Sequence, residues 1–160
     1  MGQKVNPYSM RIGINNNWRS QWIAHKQLSP IYLLLDQKIR QTISKKYGRE
    51  GAIGLVEVKR GADQVTVLIH TAKPGVIIGR AGQGVEELKK SLTALVGPGV
   101  KLKIDIHEIK NGDMWASVVA ANIAHQIERR IGYRRAAKQA IERTLGRGAL
   151  GIRVKVAGRL

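Results

Sequence analysis

The residues with the clearest chemical potential in this chain form a short glycine loop, Gly79-Arg80-Ala81-Gly82. The two glycines leave no side-chain bulk at either end of the turn, so a phosphodiester can come close to the peptide backbone. Arg80 adds a positive charge between them. Because loops of this spacing clamp single-stranded nucleic acid, the four residues are a candidate RNA-binding loop. Glycines at this spacing also occur in ordinary turns, so the hypothesis needs support from the rest of the chain.

A second candidate site is a dense run of basic residues between positions 129 and 147. Its members are Arg129, Arg130, Arg134, Arg135, Lys138, Arg143 and Arg147. On a helix, Arg134 lies four residues from Lys138 and Arg135 lies three from it, so these three cations share one face. Like charges on one face repel each other unless an anion lies opposite. A solvated basic face is the plainer interpretation, but the density of charge favours contact with RNA phosphates.

Other kinds of site find little support. The glycines around position 79 match neither the phosphate-binding P-loop nor the dinucleotide-binding pattern. The four histidines are scattered without metal-ligand spacing, the carboxylates form no evident dyad, and there is no cysteine. We therefore predict no catalytic residue, no metal and no cofactor, and the chain is not expected to be an enzyme. Spacing alone does not exclude a hydrolase such as a nuclease, which stays as an alternative.

The overall charge points to a polyanionic partner. The 160 residues carry 28 Lys and Arg against 11 Asp and Glu, a net charge of +17, and the isoelectric point is about 10.7. Such a field attracts nucleic acid, and phosphate contacts supply most sequence-independent affinity. No apolar run approaches the length of a membrane span, so no membrane partner is expected.

Aromatic platforms for stacking bases are scarce. Phenylalanine is absent, and the chain has three tryptophans and four tyrosines. An RNA-binding surface of stacked aromatics is therefore not expected. We predict that Trp18, Trp22 and Trp115 are core or interface anchors rather than base stackers.

The elements predicted around the glycine loop follow the order helix, strand, strand, short helix, loop, helix, strand. Helices are predicted over 30–47 and from the loop to about 96, and strands over 53–60, 64–71 and 100–109. On the first helix, Ile31, Leu34, Leu35, Ile39 and Ile43 predict the apolar stripe. This is the element order of a type II KH domain, with the loop where that fold needs it. The sequence therefore predicts an α+β fold.

The chain divides into three predicted parts. Residues 1–20 form an irregular basic arm, which is either a frayed terminus or an extension that penetrates RNA. Residues 21–110 form the type II KH domain, and residues 111–160 form a second α+β domain of two helices and a strand. In this domain Asp113 is predicted to cap the first helix. Alternating Ile152, Val154 and Val156 predict the final strand, whose open edge needs a partner.

The sequence resembles the S-three family of bacterial-type small-subunit ribosomal proteins along its whole length. The resemblance rests on the opening MGQKVNP, followed by RIGI at 11–14 and Trp18, and on IHTAKPGVIIGR at 69–80. It continues in QIERR at 126–130, YRRAAK at 133–138 and GIRVKVAGRL at 151–160.

The resemblance implies a structural constituent of the small ribosomal subunit, in the cytoplasm or in an organelle of bacterial descent. It implies contacts with rRNA in the subunit head, with mRNA and with neighbouring head proteins, among them the S-ten and S-fourteen proteins. Arg134, Arg135 and Lys138 would face mRNA at its entrance channel and help to open mRNA secondary structure. Predicted rRNA contacts are Lys4, Arg11, Arg19, Arg129, Arg130, Arg143 and Arg147.

Family members usually continue past Gly158-Arg159-Leu160 with further strands, so the second domain is expected to be shortened here. The alternative to a ribosomal protein is a free RNA chaperone or regulator of the KH type.

Overall fold

A four-stranded sheet with helices packed on one face, followed by a pair of helices, makes up the fold. The computed structural model describes residues 2–48, 50–97 and 99–158. The strands are β1 (Ser20–Gln21), β2 (Ile53–Arg60), β3 (Gln64–Thr71) and β4 (Lys101–Glu108). The helices are α1 (Ser29–Tyr47), α2 (Pro74–Ile78), α3 (Gln83–Val96), α4 (Ala116–Glu128) and α5 (Tyr133–Gly146). Within these ranges no helix is both long and apolar enough to cross a lipid bilayer.

The sheet is mixed, with the strands in the order β1-β2-β3-β4. The β2–β3 hairpin is antiparallel, while β1 runs parallel to β2 and β4 runs parallel to β3. Val65, Val67 and Ile69 alternate along β3 and are buried on one face, as a period of two requires. The parallel β3–β4 pair needs a crossover connection, and α2, the glycine loop and α3 provide it.

The main core lies between the sheet and two helices. Ile39 and Ile43 of α1 and Leu88 and Leu92 of α3 are fully buried against the strands. Each pair is four residues apart, which places both side chains on one helical face. Burying side chains of this size contributes about 1.5–3 kcal/mol each. The predicted order and type of these elements are confirmed, and the packing fixes both ends of the glycine loop.

The apolar stripe predicted for the first half of α1 is wrong in its phase. Ile31 and Leu34 are 51% and 59% exposed, so neither belongs to the core. The side chains that face the sheet recur at spacings of three and four residues. They are Tyr32, Asp36, Ile39, Ile43 and Tyr47, which are buried or half-buried.

The sequence did not reveal which face of α1 is buried, because a charged residue, Asp36, occupies a core position on that face. Asp36 is fully buried and accepts hydrogen bonds from Arg60 at 2.6 and 2.9 Å and from the Trp22 indole at 2.9 Å. The Arg60 guanidinium in turn lies 4.9 Å from the Tyr32 ring centroid. The network ties α1 to β2 and to the segment that follows β1.

The two helices of the second domain enclose a small core of their own. Val119 and Ile123 of α4 pack against Ala136 and Ala140 of α5. The predicted cap at Asp113 is wrong, because α4 begins after Trp115 and no side chain caps it. Asp113 lies instead 3.5 Å from the guanidinium of Arg147.

The predicted final strand is also wrong. In the part of the chain that the structure describes, residues 152–156 pair with no strand. Burial alternates as predicted, and Ile152 and Val154 pack against the helices of the second core. The predicted alternation of buried and exposed side chains is therefore confirmed, but no described strand pairs with this segment to make it a β-strand. Met1, Pro98 of the predicted turn at 97–99, and Arg159 and Leu160 of the terminal motif lie outside the described residues.

Candidate nucleic-acid interface

The glycine loop sits on the surface between α2 and α3, in a conformation that its glycines permit. Gly79 has φ +69° and Gly82 has φ +82°, both in the region that L side chains rarely adopt. Ala81 has φ +49°, and Arg80 and Ala81 are exposed. No side chain caps the start of α3, so the backbone N–H groups of its first turn face the loop without a side-chain acceptor. An arginine beside the N-terminal turn of a helix suits a phosphate.

A third glycine, Gly84, allows the start of α3 to pack closely against the end of α2. A Cβ at this position would lie 2.5 Å from the carbonyl oxygen of Ile77, so any side chain would push α3 away from α2. The Tyr47 hydroxyl donates to the Gly84 carbonyl at 3.0 Å and ties the start of α3 to α1. The sequence did not assign this role to Gly84. Its position as the second residue of α3, directly after the loop, was the only hint.

An ion pair on the surface joins the same two helices. The Lys46 ammonium lies 2.9 Å from the Glu87 carboxylate. Its hydrogen bond and charge lower the pKa of Glu87. The same hydrogen bond raises the pKa of Lys46, against a weaker opposing effect of burial. Glu87 is thus paired with Lys46 of α1. It therefore does not neutralise Arg80, the basic side chain of the glycine loop.

The basic face of α5 consists of Arg134, Arg135 and Lys138, and all three side chains are exposed. Among the described residues none of them is within ion-pair distance of a carboxylate. The opposite side of α5 is buried through Ala136 and Ala140. Small side chains at the packed surface let the helix approach α4 closely, which holds the cations on a rigid support.

The other predicted rRNA contacts occupy the N-terminal arm, the end of α5 and the segments on either side of α5. Those that are exposed are Lys4, Arg11, Arg19, Arg129, Arg130, Arg143 and Arg147. Arg147 is the one of these with a carboxylate neighbour among the described residues, since it faces Asp113. The arginine of the arm's short helical turn, Arg11, donates to the Pro7 carbonyl at 3.1 Å.

The tryptophan prediction, core or interface anchors, is confirmed for Trp22 as a core anchor, whereas Trp18 is not in the core and its role as an interface anchor stays a prediction. Trp22 is half-buried, donates to Asp36 and meets the Tyr32 ring edge-on at 5.6 Å. Trp115 is 38% exposed and stacks on His70 with the ring centroids 6.5 Å apart. Trp18 is 61% exposed on the arm. The predicted irregular arm also ends in regular structure, since Ser20 pairs with Val58 in the sheet.

Two histidines that are far apart in sequence meet on the sheet. His70 and His107 are register partners on β3 and β4, with ring centroids 5.3 Å apart. Glu57 lies 3.6 Å from His70. In the described ranges, no three His, Cys, Asp or Glu side chains are placed so that they could hold a metal ion.

Comparison with known proteins identifies the family of both halves. Residues 38–114 match the family model described as "KH domain", and residues 123–160 match "Ribosomal protein S3, C-terminal domain". Over all 160 residues the chain is 45% identical to small ribosomal subunit protein uS3 of Coprothermobacter proteolyticus, of which it covers 68%. It is 49% identical to the uS3 proteins of Finegoldia magna and Caldicellulosiruptor bescii, of which it covers 64% and 71%.

The chain belongs to the uS3 family. This confirms the predicted KH domain followed by an S-three-type second domain, and the role as a structural, non-enzymatic part of the small ribosomal subunit. It also confirms the predicted place on the bacterial-type ribosome of the cytoplasm. The family's role directs attention to the loop, the arm and the basic face of α5 as surfaces for RNA.

Proposed function

We propose that this chain binds rRNA in the head of the small subunit and presents the basic face of α5 to mRNA where the message enters the ribosome. The observation that carries the proposal is the exposure of Arg134, Arg135 and Lys138 on a helix whose opposite side is buried. No described carboxylate neutralises them. A rigid, uncompensated group of cations is suited to a phosphate backbone.

The arrangement suits a moving strand rather than a fixed one. Cations that contact phosphates bind each register of an RNA alike and read no bases, so the strand can slide past them. Phosphates held on one face of a helix keep a strand extended and hinder its return to a hairpin. We infer that the basic face of α5 favours the single-stranded form of the message and so assists unwinding.

The remaining predicted contacts would fix the chain on its subunit. Exposed cations of the arm and of the segments that flank α5 add phosphate contacts, and the net charge of +17 strengthens them. The first turns of α1 leave Ile31, Leu33 and Leu34 about half exposed. An apolar surface of this kind fits contact with another protein, and the family resemblance indicates the S-ten and S-fourteen proteins as neighbours in the head.

The test compares ribosomes that carry Arg134→Ala, Arg135→Ala and Lys138→Ala together with ribosomes that carry the native chain. We expect assembly to remain largely intact, because these side chains support no core contact. Translation of a message with a stable downstream hairpin should slow far more than translation of an unstructured message.

A matched control removes the same charge elsewhere. Lys89, Lys90 and Lys101 are exposed on α3 and β4, and their triple alanine variant should not distinguish the two messages. If the α5 variant slows both messages equally, the basic face of α5 has no unwinding role, and its cations serve only to neutralise rRNA.

A further inference from the structure

A cleft on the N-terminal arm combines an exposed aromatic ring with fixed cations. Its volume is about 430 Å³, and its lining includes Asn6, Tyr8, Trp18, Arg19 and Arg40. This volume lies in the range of small-ligand pockets. The Trp18 indole is 61% exposed, although a large apolar ring is normally covered in a folded chain. The exposed ring, in a chain with so few aromatics, lies in a cleft and not on an isolated bulge.

The cation at the side of the cleft is held in place and has unused donors. The Tyr8 hydroxyl donates to the Asn17 carbonyl at 2.9 Å, which fixes the Tyr8 ring. The Arg19 guanidinium lies 4.4 Å from the centroid of that ring, a cation–π contact. In the described part of the chain the Arg19 guanidinium donates to no acceptor. Its N–H groups are therefore available to an external anion.

The base of the cleft is rigid. Arg40 of α1 donates to the Arg19 carbonyl at 2.9 Å, to the Ser20 hydroxyl at 2.6 Å and to the Val56 carbonyl at 3.4 Å. The Val58 N–H also donates to the Arg19 carbonyl, at 3.0 Å. The arm is thus fastened to the edge of the sheet immediately after Trp18, so its geometry is set before a ligand binds.

A side-chain amide completes the set. The side-chain oxygen of Asn6, Oδ1, accepts from the Tyr8 backbone N–H at 2.8 Å, which fixes the direction of the side-chain amide. Its NH₂ group donates to no other described residue. A planar ring, an amide donor and a cation in one cleft match the three parts of a nucleotide, which are the base face, the base edge and the phosphate.

We propose that this cleft is a pocket for one unpaired RNA base. The base stacks on Trp18, its edge accepts from the Asn6 amide, and Arg19 binds the adjoining phosphate. A base within a duplex is already stacked and paired, so the site selects a nucleotide at a bulge, a loop or a single strand. The inference rests on the proposed function, since its ligand is RNA, but it adds a base-contacting site to a surface otherwise explained by charge.

The test measures binding of the full chain to two probes of similar charge, a short oligouridylate and an abasic strand of equal length. Trp18→Leu keeps apolar bulk without an aromatic face, and Trp18→Phe is the matched control that keeps the face. Trp18→Leu should weaken oligouridylate binding by about 5- to 150-fold, the usual effect of losing one stacked base. Trp18→Phe should bind nearly as the native chain does, and the abasic strand should bind all three proteins equally.

Several results would overturn the pocket. One is an unchanged affinity of Trp18→Leu for oligouridylate, and another is an equal loss of affinity for both probes. A third is uridine monophosphate binding as tightly as the oligonucleotide, since the ligand would then be a free nucleotide. Should Trp18→Leu fail to fold by circular dichroism, 2-aminopurine in the RNA decides instead. The native chain and Trp18→Phe must quench its fluorescence by stacking, and unquenched fluorescence contradicts the pocket. Failure of the native chain to bind either probe would refute the proposed function itself.

Discussion

At the scale of single residues, the buried carboxylate of Asp36 shows how α1 is joined to β2 and to the segment that follows β1. Asp36 is fully buried, and the Arg60 side chain beside it is 6% exposed. Removing one member of such a pair leaves the other charge without compensation in a dry environment. The Trp22 indole would also lose its acceptor.

We therefore expect Asp36→Ala to lower the free energy of unfolding by about 3–5 kcal/mol. Urea denaturation measures this change. Asp105→Ala is the control, because Asp105 pairs with Lys103 at 3.1 Å in a partly exposed position. An exposed pair contributes about 1 kcal/mol or less. Equal losses from the two substitutions would show that the Asp36 network does not stabilise the fold.

A second residue-scale prediction concerns Glu87, whose pKa is lowered by Lys46. A lowered folded-state pKa stabilises the fold above about pH 4.5, the ordinary glutamate value, and this contribution is lost as the pH falls through the folded-state pKa. Lys46, whose pKa is raised, contributes below its ordinary value of 10.5 and loses this contribution at higher pH.

Titration of the Glu87 carboxyl carbon by NMR measures the effect directly. In Lys46→Gln the pKa of Glu87 should rise towards the ordinary value, because the ammonium that donates to it is gone. The exposed Lys110 offers a control, and Lys110→Gln should leave the Glu87 titration unchanged. A Glu87 titration that is the same in all three proteins would show that the pair is not formed in solution.

At the scale of elements, the sequence predicted correctly those elements that depend on their own residues. The predictions failed where an element depends on contacts with residues far away in the sequence. Alternation identified β3 and β4, and the glycines identified the loop, because backbone geometry at these positions follows from the residues themselves. The phase of α1 depended on Asp36, a charged residue in a core position because Arg60 and Trp22 lie opposite it. The alternation of residues 152–156 was correct, but a strand exists only where another strand pairs with it.

The cleft at Trp18 was missed for a related reason. Trp18 and Trp22 lie four residues apart, and the sequence offered no reason to treat them differently. Only the fold shows that Trp22 finds Asp36 and Tyr32, while Trp18 remains on the surface beside the stacked Tyr8 and Arg19.

The glycine loop leads to a prediction at the element scale. A Cβ at Gly82 would meet nothing within 4 Å, whereas one at Gly79 would lie 3.0 Å from the Gly84 nitrogen. Gly82→Asp therefore adds a negative charge in open space at the start of α3. Its φ of +82° costs a non-glycine residue about 1–2 kcal/mol, which a folded chain tolerates. The substitution should weaken binding to single-stranded RNA without unfolding the chain.

Gly82→Asn is the matched control, because asparagine has the same shape, tolerates a positive φ and carries no charge. If the loop contacts one phosphate, the Asp variant should lower the log–log salt slope by about 0.7. The Asn variant should keep the native slope. Identical RNA binding by the Asp and Asn variants would show that the loop holds the KH fold together and does not contact RNA.

At the scale of the whole molecule, charge and family membership lead to the same partner. The net charge of +17 was visible in the composition, and the two matched family models cover the KH domain and the basic helices. Composition could not place the cations. The structure shows that they remain exposed on the arm, on the glycine loop and on α5. A chain built in this way should bind the small subunit through its rRNA.

Sedimentation of the tagged chain from cell extracts tests this central claim most directly. Ribosomal subunits are separated on a gradient after a high-salt wash that removes loosely bound RNA-binding proteins. The chain should migrate with the small subunit through the wash and should leave that position only when nuclease degrades the rRNA. If the chain instead stays at the top of the gradient while a resident small-subunit protein remains bound, it is a free RNA-binding protein and does not bind the small subunit through its rRNA.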